Sequence, residues 1–167
     1  KIKEKISERK DLQYIKRESK LGRGSAVLLG LKTLLKNEEI NFFVEMCTDL
    51  ADDPKELPDN ISNFLDNRLD LLVMSRYLKD SKIINWTTKR KMFSLLANKL
   101  AKTLLKVPVS DYTNGYRIYS RKAAETVVKN CGKVGDGFIA LSETLVELYI
   151  NKLKIGETGV TFVNREK

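Results

Sequence analysis

Asp49, Asp52 and Asp53 stand close together directly after an apolar run of Phe42, Phe43, Val44 and Met46, and Pro54 follows them. An apolar run of that length and residue type reads as a strand covered on both faces. Carboxylates at the C-terminal end of such a strand lie where open α/β sheets bind ligands. They suit a hard divalent cation that holds a phosphate. A second reading stands beside this one for Asp52 and Asp53: either can cap the helix that Pro54 opens. Asp49 lies too early to be that cap, and its alternative is a solvated strand-end carboxylate.

Cationic and hydroxyl groups recur at other element ends. Arg76 closes a second apolar run, residues 69–74, where it can grip a phosphate in bidentate fashion or pair with Asp49 or Asp52. Arg90 and Ser94 are one helical turn apart and share a face, so they can hold an anion together. Gly22 and Gly24 sit where a helix opens, and glycines there let backbone N–H groups approach a phosphate. A G-x-G also serves many plain turns. Glu143 falls in a helix, where it faces either a cleft or solvent.

Composition removes whole classes of chemistry. The 167 residues contain no histidine, which excludes Ser-His-Asp and Cys-His centres and any His-ligated metal. Cys47 and Cys131 have no metal-ligand spacing, and free thiols in a reducing compartment are expected. The net charge of +9 calls for an anionic partner. Nucleic acid is disfavoured, because basic residues do not gather with aromatics on one element and the acidic cluster would repel phosphates without a metal. No apolar stretch reaches the roughly 18–20 residues of a membrane span.

These residues need an alternating α/β frame. The pattern predicts an exposed helix over 1–10, a strand over 12–17, a helix from Gly22 to about Lys36, and the strand before Asp49. A helix over 54–67 follows, with Pro58 making its first turn irregular, then the strand over 69–74 and a polar loop over 79–86. A long amphipathic helix over 87–107 carries Met92, Phe93, Leu96, Leu100, Leu104 and Leu105 on one face. The Asn114-Gly115 turn precedes a short strand. Helices over 121–130 and 137–153 and a strand over 160–163 complete the chain. One domain, residues 1–167, with a mostly parallel sheet between helical layers is expected.

Five segments in order resemble family 2 glycosyltransferases of the GT-A fold, and within them the dolichol-phosphate (polyprenyl-phosphate) mannosyltransferases. Residues 20–26 resemble "K-G-x-G-x-A"; 44–54 resemble "MDADLxxxP"; Ser75-Arg76-Tyr77 resembles "GSRY"; 111–117 resemble "D-x-T-S-G-F-R"; 161–165 resemble "x-F-x-x-R". The resemblance runs from about Leu12 to Arg165. It implies a Rossmann-like three-layer sandwich, here without its N-terminal strand or strands. It implies an inverting transfer of a hexose from GDP-mannose or UDP-glucose to a polyprenyl phosphate, with Mg²⁺ or Mn²⁺ on the diphosphate. A polysaccharide or protein acceptor, or a catalytically weakened partner subunit, is the alternative.

By position, the resemblance makes Asp49 the metal ligand and, with Arg76 and Asp111, catalytic. It places Gly22, Gly24, Arg90, Ser94, Arg117 and Arg165 on the donor or acceptor phosphates, and matches Glu143 to a glutamate of a "G-x-x-F-x-x-E" helix, with Phe138 displaced. Cys47 stands where the family has the first aspartate of D-x-D, and Ala51 where relatives carry a polar side chain. A thiol is a poor ligand for Mg²⁺, so Asp52 or Asp53 would have to compensate. The segment that grips the nucleotide base has no counterpart here. The location implied is peripheral to the cytoplasmic face of a membrane.

Overall fold

The computed structural model describes residues 9, 11–135, 137 and 139–164. Its element order is α1 (Gly22–Leu34), β1 (Phe42–Glu45), a 3₁₀ turn (Pro54–Glu56), α2 (Leu57–Asp66), β2 (Leu71–Ser75), β3 (Lys82–Ile84), α3 (Thr88–Leu105), β4 (Arg117–Ser120), α4 (Arg121–Asn130), α5 (Ile139–Ile150), β5 (Ile155–Gly159) and β6 (Thr161–Val163). The helix expected over 1–10 falls almost wholly outside the described residues.

A four-stranded sheet has the order β1-β4-β2-β5. Strands β1, β2 and β5 run the same way, and β4 runs against them between β1 and β2. Phe43 and Val73 pair with Tyr119 and Arg117 on β4, and β2 pairs with β5 from Leu71↔Ile155 to Ser75↔Gly159. The C-terminal ends of the three like-directed strands therefore meet the N-terminal end of β4 at one edge.

Alternation along β2 splits the core in two. Leu71 and Val73 pack with Phe43 and Tyr119 against Leu31 of α1, Val127 of α4 and Leu145 and Leu148 of α5. Leu72 and Met74 pack on the other face with Ile118, Tyr116 and Phe64 of α2. Helices thus cover both faces of a central sheet, the three-layer arrangement expected.

Four local readings change. Residues 12–17 form no strand, and Leu12, Tyr14 and Ile15 are exposed because their backbone joins no ladder. Strand β1 forms one end of the sheet order among the described residues, so Val44 is exposed rather than covered on both sides. The polar segment over 79–86 holds β3, which pairs in parallel with β6. The apolar face of α3 does not enter the core: Met92, Phe93, Leu96, Leu100 and Leu104 are all 58–69% exposed. Pro58 does mark the onset of regular helix, since Pro54–Glu56 is 3₁₀ and α2 follows.

Candidate active site

The common sheet edge carries a cleft of about 210 Å³. Its wall draws on the ends of β1, β2 and β4 and on β6. Cys47, Asp49, Ala51 and Asp52 follow β1, and Arg76 follows β2; Thr113, Asn114 and Gly115 precede β4, while Phe162 lies on β6. Arg23 from α1 and Arg90 from α3 complete it.

The turn after β1 places its carboxylates by backbone geometry. Asp49 Oδ1 accepts a bond from the Ala51 N–H at 3.2 Å, and Leu50 takes a left-handed φ of 58°. The chain then meets β6: the Val163 N–H donates to the Ala51 carbonyl at 2.8 Å, and Asp52 bridges Phe162. This buries Asp52 to 2% exposure, and its Oδ1 makes no hydrogen bond among the described residues. Burial pushes its carboxyl up to about 6, against Arg76, Asn114 and Arg23, which pull it down, while Asp49 adds to the rise. Asp53 instead accepts from the Lys55 N–H at 2.9 Å and caps the 3₁₀ turn. The two aspartates that sequence left undecided therefore separate: Asp53 is the cap and Asp52 faces the cleft.

Arg76 pairs with neither Asp49 nor Asp52. Its Nε and Nη2 donate to Asp111 Oδ2 and Oδ1 at 2.7 and 2.9 Å, and Nη2 reaches Thr113 Oγ1 at 2.7 Å. The rings of Tyr77, Trp86 and Phe162 surround the guanidinium at 5.5, 5.4 and 5.4 Å. Asp111 has no exposed surface and does not line the cleft. Burial raises its carboxyl, but the hydrogen bonds and charge of Arg76, with backbone N–H groups, outweigh that and hold it below the usual carboxylate range. Asp111, expected as catalytic, is in this geometry a positioning residue for Arg76.

Other expected residues also turn inward. Arg117 is wholly buried and donates to the carbonyls of Asn114, Leu141 and Tyr112 at 3.1, 2.9 and 3.3 Å. It pins the loop before β4 to α5 rather than meeting a phosphate. Glu143 accepts from the N–H groups of Gly132, Lys133 and Val134 at 2.9–3.2 Å, organising the turn after α4 instead of facing the cleft. Ser94 bonds Tyr77 Oη, and Gly22 and Gly24 do not reach the cleft wall. Gly22 takes φ 82° as α1 opens. Arg165 and Phe138 lie outside the described residues.

Sequence reading missed Arg23. Its guanidinium forms a 2.6 Å ion pair with Glu45 and donates to the Gly115 carbonyl at 2.9 Å. A Cβ on Gly115 would fall 1.8–2.0 Å from the guanidinium atoms, so the Arg23 head group occupies the space that glycine leaves open. A cation between two glycines at a helix start was the available signal. Trp86 was missed too; it carries Arg90 over its ring at 4.1 Å, while Arg90 donates to Asn164 Oδ1 at 2.9 Å.

Among the described residues no group of three or more His, Cys, Asp or Glu side chains forms a metal cage. A hard cation that shares its shell with a diphosphate needs only one or two carboxylates, and Asp49 and Asp52 on the cleft wall are the carboxylates that would supply them. Cys47 fits it poorly: burial raises its thiol against the pull of Arg23, and Asp49, Asp52 and Glu45 raise it further, so it stays protonated at neutral pH.

The strand ends of this α/β sandwich thus gather carboxylates and arginines in one cleft. The family model for glycosyl transferase family 2 matches residues 1–128. The chain belongs to that family. It is 31% identical over 150 residues to a polyprenol monophosphomannose synthase of Mycolicibacterium smegmatis, covering 90% of this chain and 56% of that protein. It is 28% identical over 163 residues to an undecaprenyl-phosphate mannosyltransferase of Micrococcus luteus, covering 97% of this chain and 65% of that protein. The chain thus spans less than two thirds of the length of either relative.

Proposed function

We propose that the protein transfers a hexose from a nucleotide-sugar, GDP-mannose or UDP-glucose, to a polyprenyl phosphate with inversion, at the cytoplasmic face of a membrane. The observation that carries this reading is that Asp49 and Asp52 share one cleft with Arg23, Arg76 and Arg90. Carboxylates alone would repel a diphosphate, and arginines alone would need no carboxylates. Both together suit a metal–diphosphate on one side and an anionic acceptor on the other. The names of the two relatives favour a mannosyl donor and a lipid-phosphate acceptor.

Asp49 and Asp52 would hold the divalent cation, Mg²⁺ or Mn²⁺. Bound there, it neutralises the leaving diphosphate. Arg76, fixed by Asp111 and its aromatic surround, presents positive charge without needing to reorganise. Arg90, at the first turn of α3, is suited to the acceptor phosphate, and its contact to Asn164 fixes its direction. A phosphate nucleophile is already anionic, so this cleft needs no histidine base. Positioning and charge neutralisation are the work left to the protein.

The acceptor's surroundings support a membrane partner. Helix α3 exposes Met92, Phe93, Leu96, Leu100 and Leu104, with Lys89, Lys91, Lys99, Lys102 and Lys106 beside them. Its C-terminal half also walls an apolar groove of about 500 Å³ with Val134, Ile139 and Val146. An amphipathic helix with a basic polar face suits the interface of an anionic bilayer. No described helix is long and apolar enough to cross a membrane.

The test is transfer itself. The natural full-length protein is incubated with radiolabelled GDP-mannose or UDP-glucose, Mn²⁺ and a polyprenyl phosphate, and label is followed into the organic phase. One donor is expected to give a lipid-linked product, reduced at least tenfold in Arg90→Ala. Donor binding without lipid-linked product would favour the polysaccharide or protein acceptor. Absence of donor binding would favour the weakened subunit, for which Cys47 is the specific observation.

A further inference from the structure

We infer that Glu45 and Tyr119 are positioning residues that hold Arg23 in the cleft, where its guanidinium binds the diphosphate of the donor nucleotide and tells it from a monophosphate. This rests on the donor reading above and names what makes one of its cations selective. Arg23 lies in the first turn of α1, and its side chain keeps 25% exposure at the cleft wall. Its Nη2 stands 2.6 Å from Glu45 Oε1 and donates to the Gly115 carbonyl at 2.9 Å. Glu45 Oε1 makes no hydrogen bond among the described residues, so charge rather than bond alignment joins it to Arg23. Tyr119, 1% exposed, donates its hydroxyl to Glu45 Oε2 at 2.6 Å and fixes the carboxylate from the other side. Burial raises the Cys47 thiol and the Asp52 carboxyl, and the charge of Arg23 opposes both rises, which sets it beside the carboxylate turn.

The surroundings explain why this arrangement is firm. Glu45 ends β1 opposite Arg117 of β4, but Arg117 donates to the carbonyls of Asn114, Leu141 and Tyr112, and the cation that meets Glu45 is Arg23. Behind the pair lies a cavity of about 20 Å³, lined by Val27, Leu28, Val127 and Leu141 among others. That is room for about one water. The Glu45 carboxylate therefore has no bulk solvent on this side, and a partly buried carboxylate needs its cation. Both contacts of Arg23 use Nη2, and its other donors make no hydrogen bond among the described residues. A guanidinium presents paired donors that match two phosphate oxygens. Held by Glu45 and the Gly115 carbonyl, it gives up little freedom when the anion arrives.

Calorimetry on the natural full-length protein with Mn²⁺ compares GDP with GMP, and UDP with UMP. The wild-type protein is expected to prefer one diphosphate to its monophosphate. Arg23→Met is expected to weaken that diphosphate about 10-fold or more and the monophosphate by no more than about 2-fold. Glu45→Gln keeps the side chain's shape and an acceptor for Tyr119 but removes the charge, and is expected to weaken the diphosphate about 5-fold or more. Tyr119→Phe leaves both charges in place and is expected to act in the same direction. On the Arg23→Met background each of these two changes should alter diphosphate affinity by less than about 2-fold. Loss of folding stability alone does not produce that non-additivity. Arg23→Met with Glu45→Gln strands no buried charge, so it is the reference for Tyr119→Phe should Arg23→Met alone not fold. Equal weakening of diphosphate and monophosphate in Arg23→Met, wild-type affinity in Glu45→Gln and Tyr119→Phe, or additive losses each overturns the inference and leaves the donor reading standing. Failure of the wild-type protein to bind either diphosphate overturns both.

Discussion

Arg76 and Asp111 form a buried pair with 8% and no side-chain exposure, and removing one partner strands the other's charge away from water. Asp111→Ala is expected to lower unfolding free energy in urea by about 3–5 kcal/mol, and to free Arg76 from the orientation that aims it at the cleft. Asp52 behaves in the opposite sense. Its carboxyl rises from an ordinary value near 3.8 to about 6 in the fold, so the folded state holds a proton that the unfolded chain releases. The stability this confers is present at low pH and is lost as pH rises through about 6. Asp52→Asn should therefore raise the melting temperature in metal-free buffer at pH 8 and change it little at pH 4; equal shifts at both pH values would remove the burial argument. At this scale the sequence placed Asp49, Arg76 and Arg90 correctly at strand and helix ends. It could not show that Asp111, Arg117 and Glu143 spend their polar atoms on Arg76 and on backbone groups, because those contacts join residues 24–35 positions apart, or lie in a turn whose shape is not periodic.

Helices and strands with a strong period were legible; elements defined by their partners were not. Strand β2 and helix α4 announce themselves by apolar spacing. Strand β5 reads Ile155-Gly-Glu-Thr-Gly159, and its glycines hide it. A Cβ at Gly156 would lie 2.6 Å from Leu69 Cδ1, so the glycine that lets Leu69 pack close over the strand also weakens the strand signal. Gly115 is a parallel case at the cleft. Gly115→Ala must move the Arg23 guanidinium away from Glu45 and the Gly115 carbonyl, so weaker nucleotide binding by calorimetry is expected with the urea midpoint nearly unchanged. Normal affinity in a fully folded Gly115→Ala protein would show that Arg23 takes no part in holding the diphosphate. Helix α3 taught the reverse lesson: its apolar stripe was plain, but periodicity does not say whether a core or a lipid surface covers it. Because Phe93 and Leu100 are exposed, Phe93→Asp with Leu100→Asp should leave the urea midpoint nearly unchanged. Each loses roughly 1.5–3 kcal/mol of apolar burial at a bilayer, so sedimentation with neutral vesicles should fall by about 100-fold or more.

Across the whole molecule the net charge is +9, and the cleft, though it holds two carboxylates, also draws on three arginines. A basic surface raises the local concentration of anionic ligands and of anionic bilayers, and this attraction weakens as salt shortens the Debye length from about 10 Å at 0.1 M to about 3 Å at 1 M. Burial of the α3 face is not screened in this way. The two contributions are therefore separable on one protein. Raising NaCl from 0.1 to 1 M should strip most of the binding to vesicles rich in anionic lipid, where each lysine near the surface adds about 1 kcal/mol, yet leave a residual that neutral vesicles show at both salt concentrations. Phe93→Asp with Leu100→Asp should remove that residual while keeping the salt-sensitive part. If salt abolished all binding in the unaltered protein, the exposed face of α3 would have to be covered by something other than lipid, and the approach of a membrane-held acceptor to Arg90 would need another explanation.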